Sequence, residues 1–427
     1  MERYFSYFVV AGVLLSAILT SCNKENIENK ENSKNKDYTH TVSLDDTFGQ
    51  NGRIIIPNTS EISLLDIDRD GNIVAVGYTM ILGSGGKSYL TLAKINSDEL
   101  SGNNWLTKVT DYESGWSIGL KIAKDNKIVV IGGFAKVQFQ GWETIMMRFN
   151  QDGTVDNTYG DNGKVNLNFN AGNIISVNVD SDDFMLLAKI DYQSEDRSPY
   201  IVKYNYDGVI DKSFGKNGEV RIANSIVPYC IRILNDGSIV VAGTYNTRPN
   251  TELGLCKLTA NGELDKEFAT NGIWHMNIMQ DFTMPSDHES FFNILEDKNG
   301  NLVLSGSGLT NDLGWGNRAF LSKFSSNGKL DKSFGKNGFF CFDFGGSNKP
   351  IFQIGNNYIT AGWLNNESHK IISVNSDGSF GDYIYTSDIY YFMDMKLHGN
   401  TLYLGGGYKI DDNHIFANFA VEKVNID

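Results

Sequence analysis

From residue 62 onward the chain alternates short apolar runs with polar turns, and the same runs return at a regular spacing. A polar turn followed by an apolar run ending in glycine reads Asp70-Gly71-Asn72-Ile73-Val74-Ala75-Val76-Gly77. Comparable runs occupy 125–132, 182–188 (ending in Ala188), 236–243, 299–306, 355–362 and 399–405. After each comes a second alternating run, in most copies with one Lys or Arg, as in Leu92-Ala93-Lys94-Ile95, Met146-Met147-Arg148-Phe149 and Leu321-Ser322-Lys323-Phe324. Runs this short, rich in β-branched and aromatic residues and bounded by Gly, Asn and Asp, predict strands and hairpins. Beyond the N-terminal segment no stretch sustains apolar residues at helical spacing. The 44 glycines against 6 prolines suit tight β-turns.

A third phrase, hydrophobic-Asp-x-x-Phe-Gly-x-Asn-Gly, begins at Leu44, Val155, Ile210, Leu264 and Leu330. Its final glycines, Gly52, Gly163, Gly218, Gly272 and Gly338, are 111, 55, 54 and 66 residues apart, so a weakened copy is expected inside the first gap. It falls near Leu100 to Trp105, where Phe-Gly is lost; Ser379-Phe380-Gly381 keeps only the core of another. Each unit then offers four strands, named A to D in chain order. In the first unit these are 62–67, 73–78, 89–95 and 106–109. A period near 55 is too long for the coils of a β-solenoid and suits a β-propeller. The seven copies of the first two phrases predict an all-β, seven-bladed propeller with four antiparallel strands per blade. The copy at 44–52 has no unit before it, and no such phrase follows the seventh unit. The expected closure is therefore three plus one: Ile54 to Ile56 complete the last blade by pairing with Phe419 to Val424.

The phrase Leu330-Asp331-Lys332-Ser333-Phe334-Gly335-Lys336-Asn337-Gly338, with runs such as Asp236 to Gly243, resembles the delta-60 repeat, a family also described as a domain-of-unknown-function β-propeller of bacterial surface proteins. The resemblance covers roughly 41–427. It implies a propeller and no catalytic residues.

The start of the chain reads differently. Arg3 precedes an apolar run, 7–19, too short for a comfortable membrane span, and Leu19-Thr20-Ser21-Cys22 follows. Cys22 in this setting resembles the lipobox of bacterial lipoproteins, with Cys22 as the lipidated residue and 1–21 as the signal peptide. Residues 22–40, rich in Asn, Lys and Glu, predict a disordered tether, vaguely like the export tags of Bacteroidetes surface lipoproteins. Residues 41–427 are then one domain. The expected location is the cell envelope, lipid-anchored to the outer membrane and displayed on either of its sides. Cys230, Cys256 and Cys341 have no metal spacing and no disulfide framework, and are read as small buried hydrophobes. A net charge of −14 disfavours nucleic acid and anionic lipid surfaces, which leaves the lipid as the membrane attachment.

Candidate chemistry is sparse. No metalloprotease, nucleophile-elbow or P-loop motif occurs, and the six histidines are scattered. Asp66, Asp68 and Asp70 before Gly71 resemble the opening of a calcium loop, but position 12 is Gly77, and an Asp-Gly hairpin turn accounts for the same residues. Calcium is thus the one cofactor with any candidate ligands. The recurring Asp and Lys or Arg are read as scaffold, the Asp through an Asx-type turn bond and the aromatic as a wedge between blades. The non-repeating B to C and D to A connections share one face. To that face are assigned Trp116, Trp142, Trp274, Trp315 and Trp363 as ligand-binding residues. The leading expectation is a monomeric, non-enzymatic domain that binds a protein or glycan. The alternatives are a glycosidase or lyase, which would need a close carboxylate pair, and a structural component of an envelope assembly.

Overall fold

The computed structural model describes residues 42–426, apart from 82–86, 97–103, 124, 138–139, 169–173, 180–183, 191–198, 223–225, 246–251, 277–289, 310–316, 343–349, 365–367, 388, 390 and 409–417, and apart from some strand side chains, among them those of 174–179, 184–190 and Trp363. Every regular element among the described residues is a strand. Six four-stranded antiparallel sheets follow the A-B-C-D order of the sequence units, at 61–109, 114–166, 174–221, 226–276, 290–341 and 352–387; they are blades 1 to 6. A further sheet joins the two ends of the domain.

The expectation of seven four-stranded blades closed three plus one is corrected here. Six blades have four strands, and the closing sheet has five: Tyr391–His398, Thr401–Tyr408 and Asn418–Ile426 from the C-terminal side, Val42–Leu44 and Arg53–Ile56 from the N-terminal side. Both N-terminal strands lie along the same edge of Asn418–Ile426. Arg53, Ile54, Ile55 and Ile56 pair with Glu422, Val421, Ala420 and Phe419. Val42, Ser43 and Leu44 pair with Ile426, Asn425 and Val424. The extra strand has a simple origin. In the blades, strand C turns tightly into the Asp phrase, so the residue ahead of the Asp makes only an isolated bridge, Phe149 with Val155, Tyr204 with Ile210, Leu258 with Leu264 and Phe324 with Leu330. Leu44 opposite Val424 is the same bridge. Here the incoming chain has no turn to make, so it stays extended for three residues.

The innermost strands of the closing sheet and of blades 1 to 5 each touch the next, which places the A strands around the axis and the D strands at the rim. Apolar clusters fill each junction in turn: blades 1 and 2 around Leu92 and Phe149, blades 4 and 5 around Leu255 and Phe324, blades 5 and 6 around Leu321 and Tyr358, blade 6 and the closing sheet around Ile371 and Leu404, and the closing sheet and blade 1 around Ile62 and Phe419. Clusters of the same kind join blades 2 to 3 and 3 to 4. The ring is therefore held by many sheet-to-sheet cores, each burying side chains worth roughly 1.5–3 kcal/mol apiece.

The repeated phrases now have physical roles. The phrase aspartate docks on strand C through its backbone, the N–H of Asp156, Asp211, Asp265 and Asp331 donating to the carbonyls of Arg148, Lys203, Lys257 and Lys323 at 2.8–2.9 Å. Its carboxylate accepts the N–H two residues on, as in Thr158, Ser213 and Ser333, and pairs with the strand C cation in Arg148–Asp156 (2.8 Å) and Lys203–Asp211 (3.2 Å). The following aromatic, Phe48, Tyr159, Phe214, Phe268 or Phe334, is fully buried. The residue after it reaches the next sheet: the N–H of Gly215, Ala269 and Gly335 donates to Asn261, Asn327 and Asp377. In blade 1, which lacks the phrase, Trp105 substitutes, its indole N–H donating to Gln151 O (3.0 Å).

The glycine that ends the apolar run of strand B seats a bulge in strand A. Register shifts occur after Ile62, Ser117, Pro228 and Phe291, opposite Gly77, Gly132, Gly243 and Gly306. A Cβ on Gly77, Gly132 or Gly243 would lie 2.0–2.3 Å from the carbonyl oxygens of Glu61, Trp116 and Val227, so at these three positions only glycine fits beneath the bulge.

Candidate functional site

The B to C and D to A connections of blades 1 and 2 hold an aromatic and ionic cluster. Trp116 lies in strand A of blade 2 (Ser114–Ile122), and Trp142 immediately precedes strand C (Glu143–Phe149). Their rings meet at 4.3 Å, tilted by 45°. Both are half-buried. The Trp142 Nε1 donor is covered and has no hydrogen-bond acceptor within the protein. Next to Trp116 in sequence, Tyr112 packs on Phe134, and burial pushes its hydroxyl up to about 12. Two ion pairs bridge the same junction, Lys87 with Glu113 and Lys164 with Asp111. Lys164 Nζ also sits 5.1 Å from the centre of the Tyr112 ring.

The other tryptophans are placed elsewhere. Trp274 belongs to strand D of blade 4 (Ile273–Met276) and packs between blades 4 and 5, 4.7 Å from Phe324 and 6.3 Å from Phe291. Trp363 is in strand B of blade 6, paired with His369, and Trp315 lies outside the described residues. The structure thus brings Trp116 and Trp142 together and sends Trp274 to a junction core. Cys22 also lies outside the described residues.

The three aspartates of the calcium-like segment serve different ends. Asp66 accepts the N–H of Ile122 (2.9 Å), tying strand A of blade 1 to that of blade 2. Asp68 is buried, accepts the N–H groups of Asp70 and Asn72 and the Asn72 side-chain amide, and pairs with Lys94 at 2.8 Å. Burial alone would raise its pKa, but the bonds from Lys94 and Asn72 hold it below the ordinary value. Asp70 is exposed. Asp297 repeats the Asp68 arrangement with Asn299 and Asn301 and adds a bond from Tyr358 (2.9 Å), which marks it as a turn device of strands A and B. Among the described residues no group of three or more His, Cys, Asp or Glu side chains is arranged to hold a metal. Cys230 and Cys256 are buried, whereas Cys341, expected to be buried, is exposed on strand D of blade 5.

The bulges escape the sequence reading. They place Tyr229, Phe292 and Met393 on innermost strands. Tyr229 is 43% and Met393 38% exposed, and the rings of Tyr229 and Phe292 meet edge-on at 6.0 Å across blades 4 and 5. The signal was present in the strand B glycines, whose need for a bulge partner appears only once strands A and B are paired.

The fold is similar to that of the Dos1 propeller (TM-score 0.48, 9% identity, covering 87% of this chain and 93% of that one). It is also similar to the β-propeller domain of the trilobed protease from Pyrococcus furiosus (0.45, 9%, 85% and 97%). Puromycin hydrolase is a third (0.46, 10%, 86% of this chain and 53% of that one). No curated protein matches the sequence. Residues 123–159 and 234–268, each running from the start of an A to B turn through the aromatic of the Asp phrase, match the family of the domain of unknown function (DUF5122) β-propeller.

Proposed function

We propose that this chain is an envelope lipoprotein, anchored through Cys22, whose propeller binds a protein or glycan ligand through the face built by the B to C and D to A connections. The observation that carries the reading is the Trp116–Trp142 pair. Two half-buried indoles in contact form a rigid apolar platform. Tryptophan surfaces of this kind anchor protein partners and stack on sugar rings. The flanking Lys87–Glu113 and Lys164–Asp111 pairs supply a polar rim. The deeply buried carboxylates Asp68, Asp156, Asp297 and Glu422 are committed to turns and junctions, which favours binding over hydrolysis as the reading. No helix among the described residues is long and apolar enough to cross a membrane, and the proposed attachment is the lipid.

Binding is tested by screening the mature protein against an array of envelope polysaccharide fragments and against purified envelope proteins. The Trp142→Ala variant is then titrated with the best ligand. A loss of tenfold or more in affinity, with unchanged melting, supports the face; full retention removes it. Attachment is tested by palmitate labelling of the wild type and of Cys22→Ala, and unchanged labelling of the variant rules out Cys22.

A further inference from the structure

In blades 2, 3 and 4 and at the closing sheet, the strand C cation pairs with the aspartate of the repeated phrase: Arg148 with Asp156 (2.8 Å), Lys203 with Asp211 (3.2 Å), Lys257 with Asp265 (3.9 Å) and Lys423 with Asp45 (2.8 Å). Blade 1 lacks the phrase. Its cation, Lys94, pairs instead with Asp68 in the A to B turn, at 2.8 Å. This change of partner takes the amine into the protein. Lys94 lies opposite Val74, on the sheet face whose Val74 and Leu92 belong to the core between blades 1 and 2. The side chains of Lys94 and Asp68 are only 7% and 2% exposed.

Asp68 presents a third group to this amine. Its Oδ1 is fixed by the backbone N–H groups of Asp70 (3.0 Å) and Asn72 (2.8 Å). Its Oδ2 takes both Lys94 Nζ (2.8 Å) and the Asn72 carboxamide (3.0 Å). One carboxylate oxygen thus bridges an amine and an amide. Blade 5 carries the same Asp and Asn without the amine: Asp297 Oδ2 takes the Asn301 carboxamide (3.0 Å) and the Tyr358 hydroxyl (2.9 Å), while Lys323 donates to Ser376 O (3.1 Å). The Asp and Asn alone make a turn. The buried lysine adds a nucleophile and leaves the carboxyl group placed to move protons between it and the amide.

We infer that Lys94 and Asn72 are the site of an intramolecular isopeptide cross-link, formed with Asp68 as the proton carrier and joining strands B and C of blade 1. The folded pair is ionised, so the step begins with a proton passing from Lys94 Nζ to Asp68 Oδ2, a transfer that leaves no charge in a buried place. The neutral amine attacks Cγ of Asn72. The Nζ–Cγ bond forms and the Cγ–Nδ2 bond breaks, with Asp68 relaying a proton from Nζ to the departing nitrogen. Ammonia leaves and takes the proton remaining on Asp68, as ammonium, so the carboxylate is regenerated and no oxidant or other reactant is consumed. Asn72 is partly exposed, which gives the ammonia a way out.

Intact mass spectrometry of the folded wild-type protein, after prolonged incubation, is expected to show a chain one ammonia lighter than its sequence. Trypsin should then release a branched peptide in which residues 70–87 are joined to a segment left uncut at Lys94. A succinimide at an Asn-Gly step would lose the same ammonia but leave these peptides linear. Lys94→Arg, which keeps a cation for Asp68 but no acylable amine, and Asp68→Ala should both give the full mass and linear peptides. Complete recovery of linear 70–87 and of cleavage at Lys94 from the wild type overturns the assignment, and that reading does not depend on how any variant folds. A branched peptide that forms equally in Asp68→Ala, or that is attached at another asparagine, overturns it as well.

Discussion

The nine-residue phrase is docked five times in this ring, and the copies in blade 2 and at the closing sheet meet different covalent conditions. In blade 2 it follows strand C directly, as 155–163 after 143–149. At the closing sheet it comes from the other end of the domain, as 44–52 against 419–424. The contacts are nearly the same. Asp156 N–H donates to Arg148 O and Asp45 N–H to Lys423 O, both at 2.9 Å; Arg148 N–H donates to Gly163 O and Lys423 N–H to Gly52 O. Asp45 pairs with Lys423 at 2.8 Å as Asp156 does with Arg148, and Phe48 is as buried as Tyr159. Local geometry is thus set by the phrase and by the face of strand C, not by the turn that usually links them. Chain connection does change how the loss of any one contact is felt. The internal copy is tethered by a few residues, whereas the closing copy must hold two distant ends together.

The largest effect should come from removing residues 41–57. This strips Asn418–Ile426 of its edge partner and removes side chains that cover Phe419 and Val421. With Leu44, Phe48, Ile54 and Ile56 gone, at most roughly 6–12 kcal/mol of burial is lost at about 1.5–3 kcal/mol per fully buried side chain, and a bare strand edge appears. Urea unfolding should show a large loss of stability, and a synthetic 41–57 peptide should restore much of it, since the joint is non-covalent. A truncated domain that unfolds like the complete one would show that the seam does not depend on this arm.

The next contrast is between cations. Glu422 is fully buried and meets Arg53, the Ser387 hydroxyl (2.7 Å) and the Tyr385 hydroxyl (3.3 Å). Asp156 is also buried but has both Arg148 (2.8 Å) and Lys127 (3.2 Å). Arg53→Met leaves a buried carboxylate without this cation and should cost about 3–5 kcal/mol. Arg148→Met leaves Lys127 in place and should cost markedly less. Equal losses in chemical denaturation would mean that neither the burial of Glu422 nor the second cation matters.

Much of this architecture was legible in the sequence. Alternation fixed the strands, the period fixed the four-strand unit, and the orphan phrase at 44–52 pointed to the pairing of Ile54–Ile56 with Phe419–Val424, within which Phe419–Val421 are the partners observed. The five-stranded seam was not legible, because whether Val42–Leu44 stays extended depends on the absence of a turn, a property of connectivity rather than composition. The tryptophans were legible only in part. Trp274 has the same chemistry as Trp142, but its offset from the phrase glycine makes it the strand D residue opposite Leu255, and register decides that it fills a junction. The exposed Tyr229 and Met393 were hidden for the same reason: a bulge shifts the alternation that would have marked them as facing in or out.

Acid should separate the two docked phrases next. Bonds from Lys423 and then Thr47 lower the Asp45 pKa to about 2. The Thr158 hydroxyl, then Lys127 and Arg148, depress Asp156 further. Both folded values lie below the unfolded value of about 3.9. Each carboxylate therefore stabilises the fold fully above about pH 4, and its contribution is lost as pH falls toward the folded value. The closing phrase should lose its contribution between about pH 4 and 2, and the internal one should persist lower. Hydrogen exchange at decreasing pH should release 419–424 before 145–149. Asp45→Asn should flatten the pH dependence of the seam alone, and simultaneous release would contradict the contrast.

The smallest effect tests whether the fifth strand contributes to closure. Val42 and Ser43 add two residue pairs, with Ile426 and Asn425, beyond the bridge of Leu44 to Val424. The blades have no counterpart to these pairs and make only the bridge. If the phrase itself closes the ring, removing 41–43 while keeping Leu44 should cost about 1 kcal/mol or less, in the range of one or two modest hydrogen bonds. The seam would then become a four-stranded sheet like blades 1 to 6. Hydrogen exchange should loosen only at Asn425 and Ile426, with Phe419 to Lys423 still protected by Arg53–Ile56 and Gly52. A loss comparable to that of the 41–57 deletion would reverse the argument: the closing contact would lie in the extended lead-in, and the docked phrase, despite its repetition around the ring, would be secondary at this one joint.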